Sequence, residues 1–313
     1  MKKSFLIVLL TLLFVPATFA QDLESVTNLY NSGAVALNEG KKIEALKIFE
    51  DALSQAQTLG AEGMDIAMNC QGAIPTLYMS IGKEYGEKRD LTNAIKYLDL
   101  GIAKATEFQD EASIEEIKAI YPPLYMQEGS SKLNERKYPE AIACYKKVLE
   151  YNPNFAMAYL RMGMAASAIG DEATTVSSYE KAMELGQKNE ASKRLSTYYL
   201  KKSVALLKAK KMTDAIAYAQ KSAATMENAQ AYNVCGKAAL ATKDNALATE
   251  SFEKYLSLSP NAKDKSQAMY QLASAYMAMG KNAEACKYFK QIMNDPSFKD
   301  FATHQVKNVL KCQ

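Results

Sequence analysis

Seven times along this chain a small residue is followed twelve positions later by another small residue and, four positions after that, usually by a large one. The first set is Gly33, Gly82, Gly129, Gly163, Ser203, Gly236 and Ala273. The second is Ala45, Ala94, Ala141, Thr175, Ala215, Ala248 and Ala285, and the third is Phe49, Leu98, Tyr145, Tyr179, Ala219, Phe252 and Phe289. Small residues are needed where two helices cross closely, and a large one fills the adjoining gap. Each period therefore reads as a helical hairpin that buries its apolar face only against its neighbours. Turns inside the hairpins are marked by "NEGKK" around Gly40, "AIGDE" at Gly170 and "AMGKN" at Gly280. Pro153 and Pro260 stand where one hairpin ends before the next helix starts.

These residues resemble the tetratricopeptide repeat (TPR), a 34-residue unit with small residues at its places 8 and 20, an aromatic near 24 and often a proline at 32. Counted on that frame, units begin near Val26, Pro75, Pro122, Ala156, Ser196, Ala229 and Ser266. The resemblance implies an all-α fold, a right-handed α-α superhelical solenoid of helical hairpins. No linker rich in Pro, Gly or Ser divides the chain, so residues 21–313 are expected to form a single solenoid. Tryptophan, common at place 4 of the family pattern, is absent from the chain, and Tyr78, Tyr125, Tyr159, Tyr199 and Tyr232 stand there instead. After the last unit, "SFKDFATHQVKNVLKCQ" carries Phe298, Phe301, Gln305 and Val309 beside Ala302, Val306 and Leu310. That stripe predicts a capping helix over about 298–311, covering the exposed face of the last hairpin.

Unit starts are 49, 47, 34, 40, 33 and 37 residues apart, so the first two intervals carry an excess of 15 and 13. The extra segments, "GAEGMDIAMNCQGAI" and "QDEASIEEIKAIY", space their apolar residues helically, as at Ile114, Ile117 and Tyr121. Lengthened helices are expected there, with Pro122 and Pro123 breaking or kinking the third leading helix.

The first residues, "MKKSFLIVLLTLLFVPATFAQD", place two lysines before an apolar run from Phe5 to Val15 and a small-residue approach to Ala20. This is the pattern of a secretory leader, residues 1–20, cleaved after Ala20. The run is shorter than the roughly 20 residues a spanning helix needs, so no transmembrane span is expected in the mature protein. No cysteine precedes Cys70, which excludes a lipidated cysteine near the leader. Export to the periplasm is expected, with release from the cell as the alternative. Without Lys2 and Lys3 the formal charge of +3 falls to +1, which argues against nucleic acid or an anionic membrane as partner.

Signatures of catalysis are missing. The single histidine, His304, falls on the polar side of the expected capping helix with no candidate partner. There is no HExxH, CxxC, GxSxG, phosphate-cradling glycine loop or EF-hand. No enzyme activity, metal or cofactor is expected. The five cysteines, Cys70, Cys144, Cys235, Cys286 and Cys312, are expected as free, mostly buried thiols. If the last helix folds back antiparallel, Cys286 lies level with about residue 306, which puts Cys312 more than a turn too far for a bridge.

In the family resembled, leading helices line the concave face, and places 2, 5, 9 and 12 commonly meet the ligand. Carried over, those places give Tyr30, Met79, Met126, Leu160, Met164, Leu200, Val204, Asn233, Tyr270 and Met277 as partner-binding positions. Lys83, Leu133, Leu207 and Lys237 accompany them. The resulting wall is mostly apolar and rich in methionine, which suits an amphipathic helix or an extended apolar peptide. The expected function is a non-catalytic protein-interaction scaffold of the bacterial cell envelope, acting as adaptor or chaperone. A self-assembling structural envelope protein is the alternative, followed by a sugar- or peptide-binding or hydrolytic protein on the same scaffold. Oligomeric state is left open.

Overall fold

The computed structural model describes residues 17–312, with side chains from Asp22 onward. Residues 1–16, which hold most of the expected leader, lie outside the described residues. Regular structure among the described residues is helical throughout. No described helix is long and apolar enough to cross a membrane.

The chain divides into two compact units, one holding residues up to 128 with 150–152, the other holding 129–149 with 153 onward. The first unit contains α1 (Ala17–Asn38), α2 (Lys42–Thr58), α3 (Met64–Glu87), α4 (Leu91–Glu107) and α5 (Glu111–Lys118). The division runs through α6 (Tyr121–Asn134) and close to the end of α7 (Tyr138–Tyr151). The second unit continues with α8 (Ala156–Ile169), α9 (Glu172–Ala182), α10 (Lys188–Lys208), α11 (Met212–Thr225), α12 (Ala229–Ala241) and α13 (Asn245–Leu258). It ends with α14 (Lys265–Ala278), α15 (Asn282–Ile292) and α16 (Lys299–His304).

The spacing of small and large residues becomes contact between paired helices. A Cβ on Gly163 would lie 2.9 Å from the Tyr179 ring, and one on Gly236 would lie 3.0 Å from the Phe252 ring. Gly33 faces Phe49, Gly82 faces Leu98 and Gly129 faces Tyr145 in the same way. A methyl group at these places would hold each pair of helices apart and open a gap that close packing forbids.

Every hairpin turn closes alike. Gly40, Arg89, Arg136, Gly170, Lys210, Lys243 and Gly280 stand at one and the same place of the repeat frame, and all have φ between +59° and +78°. Around Arg89, its own N–H reaches the Gly86 carbonyl at 3.0 Å and the Asp90 N–H reaches the Tyr85 carbonyl at 2.9 Å. That bond pair is the Schellman closure, which satisfies the last carbonyls of a helix while the chain reverses. The next residue begins the trailing helix. Asp90, Asp171 and Asp244 accept there from the backbone N–H of Asn93, Thr174 and Leu247.

The first extra segment lengthens α3 to 24 residues, with buried Pro75 inside it. The second forms the separate α5, whose Ile117 is fully buried beside Leu98 and Tyr121. Pro122 and Pro123 stand in the first turn of α6. Prolines lack the amide hydrogen that a continuous helix would need, so the chain breaks between Lys118 and Tyr121.

The expected capping helix over 298–311 is corrected in its second half. After His304 the coil widens to a π turn, Gln305–Val309. It leaves Phe301 and Val309 exposed while Ala302, Gln305 and Val306 are buried. The Leu310 N–H reaches back to the Gln305 carbonyl at 2.8 Å and the Cys312 N–H to that of Val306 at 2.9 Å, with Lys311 at φ +49°. This reversal turns the last residues back toward α15, where Cys312 and Cys286 form a disulfide with Cα atoms 5.8 Å apart. The expectation of free thiols therefore fails for this pair, because it assumed a straight α-helix to residue 311. Cys70 and Cys235 are free and buried.

Candidate functional site

A groove of about 860 Å³ lies in the second unit between α8 and α10, closed at its ends by the turn before α7 and by the α8–α9 turn. Leu133, Tyr138, Met164, Ala168 and Tyr179 supply its apolar surface. Helix α10 supplies Glu190, Lys193, Arg194, Thr197, Tyr198, Lys201 and Lys202. Helical spacing puts Lys193, Thr197 and Lys201 on one stripe, and all three are exposed.

Four cations thus face one carboxylate in the lining. Arg194 pairs with Glu190 at 2.7 Å, yet its Nε is buried without a hydrogen bond. Lys202 pairs with Glu172, which also accepts from the Tyr218 hydroxyl at 2.8 Å. Burial alone would raise the Glu172 carboxyl, but its bonds from Lys202 and Tyr218 override that and hold its pKa below the usual carboxylate range. Burial likewise opposes the charge on Lys202, and contact with Glu172 outweighs it, so the lysine pKa is raised. Burial pushes the Tyr179 hydroxyl up to about 12, which keeps it protonated.

Six extra residues extend this basic wall. The fourth interval of the repeat is 40 residues where the family frame needs 34. The chain leaves α9 through a wide turn, Met183–Gln187, in which Gly186 has φ +97°. Helix α10 then begins at Lys188, ahead of the place where the unit starts at Ser196. Glu190, Lys193 and Arg194 belong to this forward extension. The long interval signalled them, and place counting within units passed over them.

The positions expected from the repeat frame scatter differently. Met164 and Leu133 line the groove. Leu160 lies beneath, 5% exposed, packed with Tyr179 and Leu195. Leu200 lines a neighbouring cleft of about 340 Å³ that shares Lys193 and Thr197 with the groove. Val204 and Leu207, on the same helix as Leu200, pack half-buried against Val234 and Cys235. Asn233 is 3% exposed and its side-chain amide donates to Asp264 at 3.1 Å, so it faces an acidic partner inside the chain. Lys237 approaches the same carboxylate at 3.7 Å. On α14, Tyr270 stacks 5.5 Å from Phe298 and meets Phe301 edge-on at 5.1 Å, with Met277 half-buried in the same cluster. In the first unit Tyr30 packs on Phe49 at 5.4 Å and Met79 on the Leu98–Tyr121 cluster, while Met126 is half-buried and Lys83 exposed. Among the described residues no group of His, Cys, Asp and Glu could hold a metal ion.

Comparison with known proteins matches three stretches to family models. Residues 135–170 match one described as "TPR repeat", and residues 229–262 and 267–296 match two described as "Tetratricopeptide repeat". The Hsp70-Hsp90 organizing protein of Triticum aestivum is 33% identical over 70 residues, covering 22% of this chain and 12% of that one. The small glutamine-rich tetratricopeptide repeat-containing protein of Dictyostelium discoideum is 32% identical over 117 residues, covering 26% of this chain and 35% of that one. The chain thus spans a minor part of either relative's length. Among solved structures, MamA is 26% identical, covering 58% of this chain and 94% of that one, at a TM-score of 0.37. YrrB, whose structure is titled as that of a TPR protein with an unusual peptide-binding site, is 18% identical, covering 58% of this chain and 89% of that one, at a TM-score of 0.34.

Proposed function

The chain is a tetratricopeptide-repeat protein, and from that premise we propose that it is a non-catalytic scaffold whose α8–α10 groove grips a segment of another protein. The observation that carries this reading is the groove itself, where an apolar floor of Leu133, Met164 and Tyr179 runs beside exposed Lys193 and Lys201. Such a surface fits a segment that alternates apolar side chains with carboxylates. The apolar side chains seat against the floor, and the carboxylates meet the exposed Lys193 and Lys201. An extended, entirely apolar peptide, one of the two ligands that the repeat frame suggested, would leave those cations facing no charge.

The proposed site of action is the cell envelope, outside the cytoplasm. The leader pattern supports this, and so does the Cys286–Cys312 disulfide, since such bonds persist in oxidising compartments. There the protein would act as an adaptor or chaperone for its partner.

A photo-crosslinking residue at Thr197, on the groove wall, tests the reading in the native cell, with exposed Glu180 as control. The expected result is one discrete protein captured from Thr197 and not from Glu180, lost when Lys193 and Lys201 are both changed to Glu. Capture that survives the double charge reversal, or equal capture from both positions, would end the proposal. Fractionation of the same cells reads the compartment directly.

A further inference from the structure

The fifth period breaks the repeat rule at two places. Where the other hairpins carry Phe49, Leu98, Tyr145, Tyr179, Phe252 and Phe289, it has Ala219. Four residues further on, the others carry Leu53, Ile102, Leu149, Met183, Leu256 and Met293, and it has Ala223. These second large residues have a packing role: Leu53 is buried, and Ile102, Met183, Leu256 and Met293 each pack against a hydrophobic cluster. With both side chains cut back to methyl groups, a cleft of about 260 Å³ opens between α11, α12 and α13. Ala219, Ala231 and Cys235 form its buried floor, and Ala223, Tyr232 and Leu247 form its half-buried walls. Glu250 stands exposed in the lining, and no ion pair to it occurs among the described residues.

We propose that this cleft is a binding site for one large apolar side chain of a partner protein, presented beside a basic residue that pairs with Glu250. The volume falls just under the roughly 300–1,000 Å³ of pockets that hold whole drug-sized ligands, so it suits a single side chain. The walls offer few polar groups to hold ordered water, whereas an incoming leucine, methionine or phenylalanine restores the contacts that the two alanines forgo. The unpaired carboxylate in the lining selects for positive charge next to that side chain. The cleft shares no lining residue with the α8–α10 groove and favours the opposite charge, so the two sites take different segments. Its test stands apart from the test of that groove.

The experiment titrates the full chain, carrying labelled alanine methyl groups, with three capped dipeptides and follows the methyl NMR signals. N-acetyl-phenylalanyl-lysine amide is expected to shift Ala219, Ala223 and Ala231 saturably in the millimolar range, as befits so small a contact. N-acetyl-phenylalanyl-glutamate amide should bind several-fold more weakly, and N-acetyl-alanyl-lysine amide should leave the three methyl groups unmoved. Ala223→Leu, which restores a large apolar side chain like those of the other six periods, should raise Tm and abolish the shifts at Ala219 and Ala231. Glu250→Gln, at an exposed position, should erase the preference for lysine and leave the fold intact. Unmoved methyl groups with the first peptide overturn the proposal, as does binding that persists in Ala223→Leu. Equal affinity for the lysine and glutamate peptides overturns the role of Glu250.

Discussion

The fifth hairpin, α10–α11, and the sixth, α12–α13, close on the same frame by different means. In the sixth, the fully buried Phe252 ring lies directly on Gly236, and dispersion contacts fill the crossing. In the fifth, the corresponding pair is Ser203 and Ala219, so no ring lies at that place of the frame, and the rings between its helices, Tyr199 and Tyr218, meet elsewhere at 6.0 Å. Polar bonds take over near the end of α11. The Ser196 hydroxyl donates to the Ser222 carbonyl at 2.9 Å, the Ser222 hydroxyl donates to the Ser196 carbonyl at 2.8 Å, and the Asn228 amide reaches both hydroxyls. Both serines are buried, so these bonds act without competition from water. Reciprocal bonds can hold two helices at the right distance, but they fill less space than a ring. The cleft beside Ala219 and Ala223 is the counterpart of that choice.

Four substitutions test the contrast. Phe252→Ala should have the largest effect, about 3–5 kcal/mol of lost stability in urea unfolding, because the glycine notch cannot collapse onto a methyl group. A loss below about 1 kcal/mol, the scale of a single net hydrogen bond, would mean that the ring is not what closes the sixth hairpin. Ser222→Ala should cost about 1–3 kcal/mol by stranding buried polar groups of its partners. Hydrogen exchange should show the loss concentrated in α10 and α11, and a loss spread evenly over the second unit would count against local polar closure.

A smaller effect is confined to acid. Glu172 joins α9 to Lys202 and Tyr218 of the fifth hairpin, and its pKa in the folded chain is lowered. Its stabilisation is complete above the unfolded carboxylate value of about 4.3 and fades as pH falls through the folded value. Glu172→Gln should therefore flatten the acid-side decline in protection of α10 and α11 below about pH 4. An unchanged pH profile would remove the ion pair from the account. The smallest effect is expected at Lys210, which holds φ +59° in the turn of the fifth hairpin. Lys210→Gly should leave stability unchanged or raise it by up to about 1 kcal/mol, since a side chain in that region is strained. A clear loss would show that the lysine side chain contributes something its exposure does not suggest.

The hairpins and their register were legible because packing at a helix crossing leaves a direct mark on residue size. Gly163 and Tyr179 are a pair that no loop or strand requires at that spacing. The turns were only partly legible: Gly40, Gly170 and Gly280 announce a left-handed residue, whereas Arg89, Arg136, Lys210 and Lys243 adopt the same backbone without announcing it. The end of the chain misled for a geometric reason. A π turn and a left-handed lysine add no sequence pattern of their own, and together they bring Cys312 back to Cys286. At the candidate site, counting places within each unit found Met164 and Leu133. It also sent Asn233, whose partner is the chain's own Asp264, to the wall. Half of the basic side of the groove, Lys193 and Arg194, comes from inserted residues that no unit owns, and such residues are visible only as an interval that is too long.

The hairpin turns close through backbone bonds, and the residue at each apex, from Gly40 to Gly280, is exposed. Their side chains are therefore free of structural duty. An experimenter who needs to splice in an affinity tag, a fluorophore site or a surface-immobilisation handle can use the Lys243 turn, which lines neither groove nor cleft, and leave the core as it is.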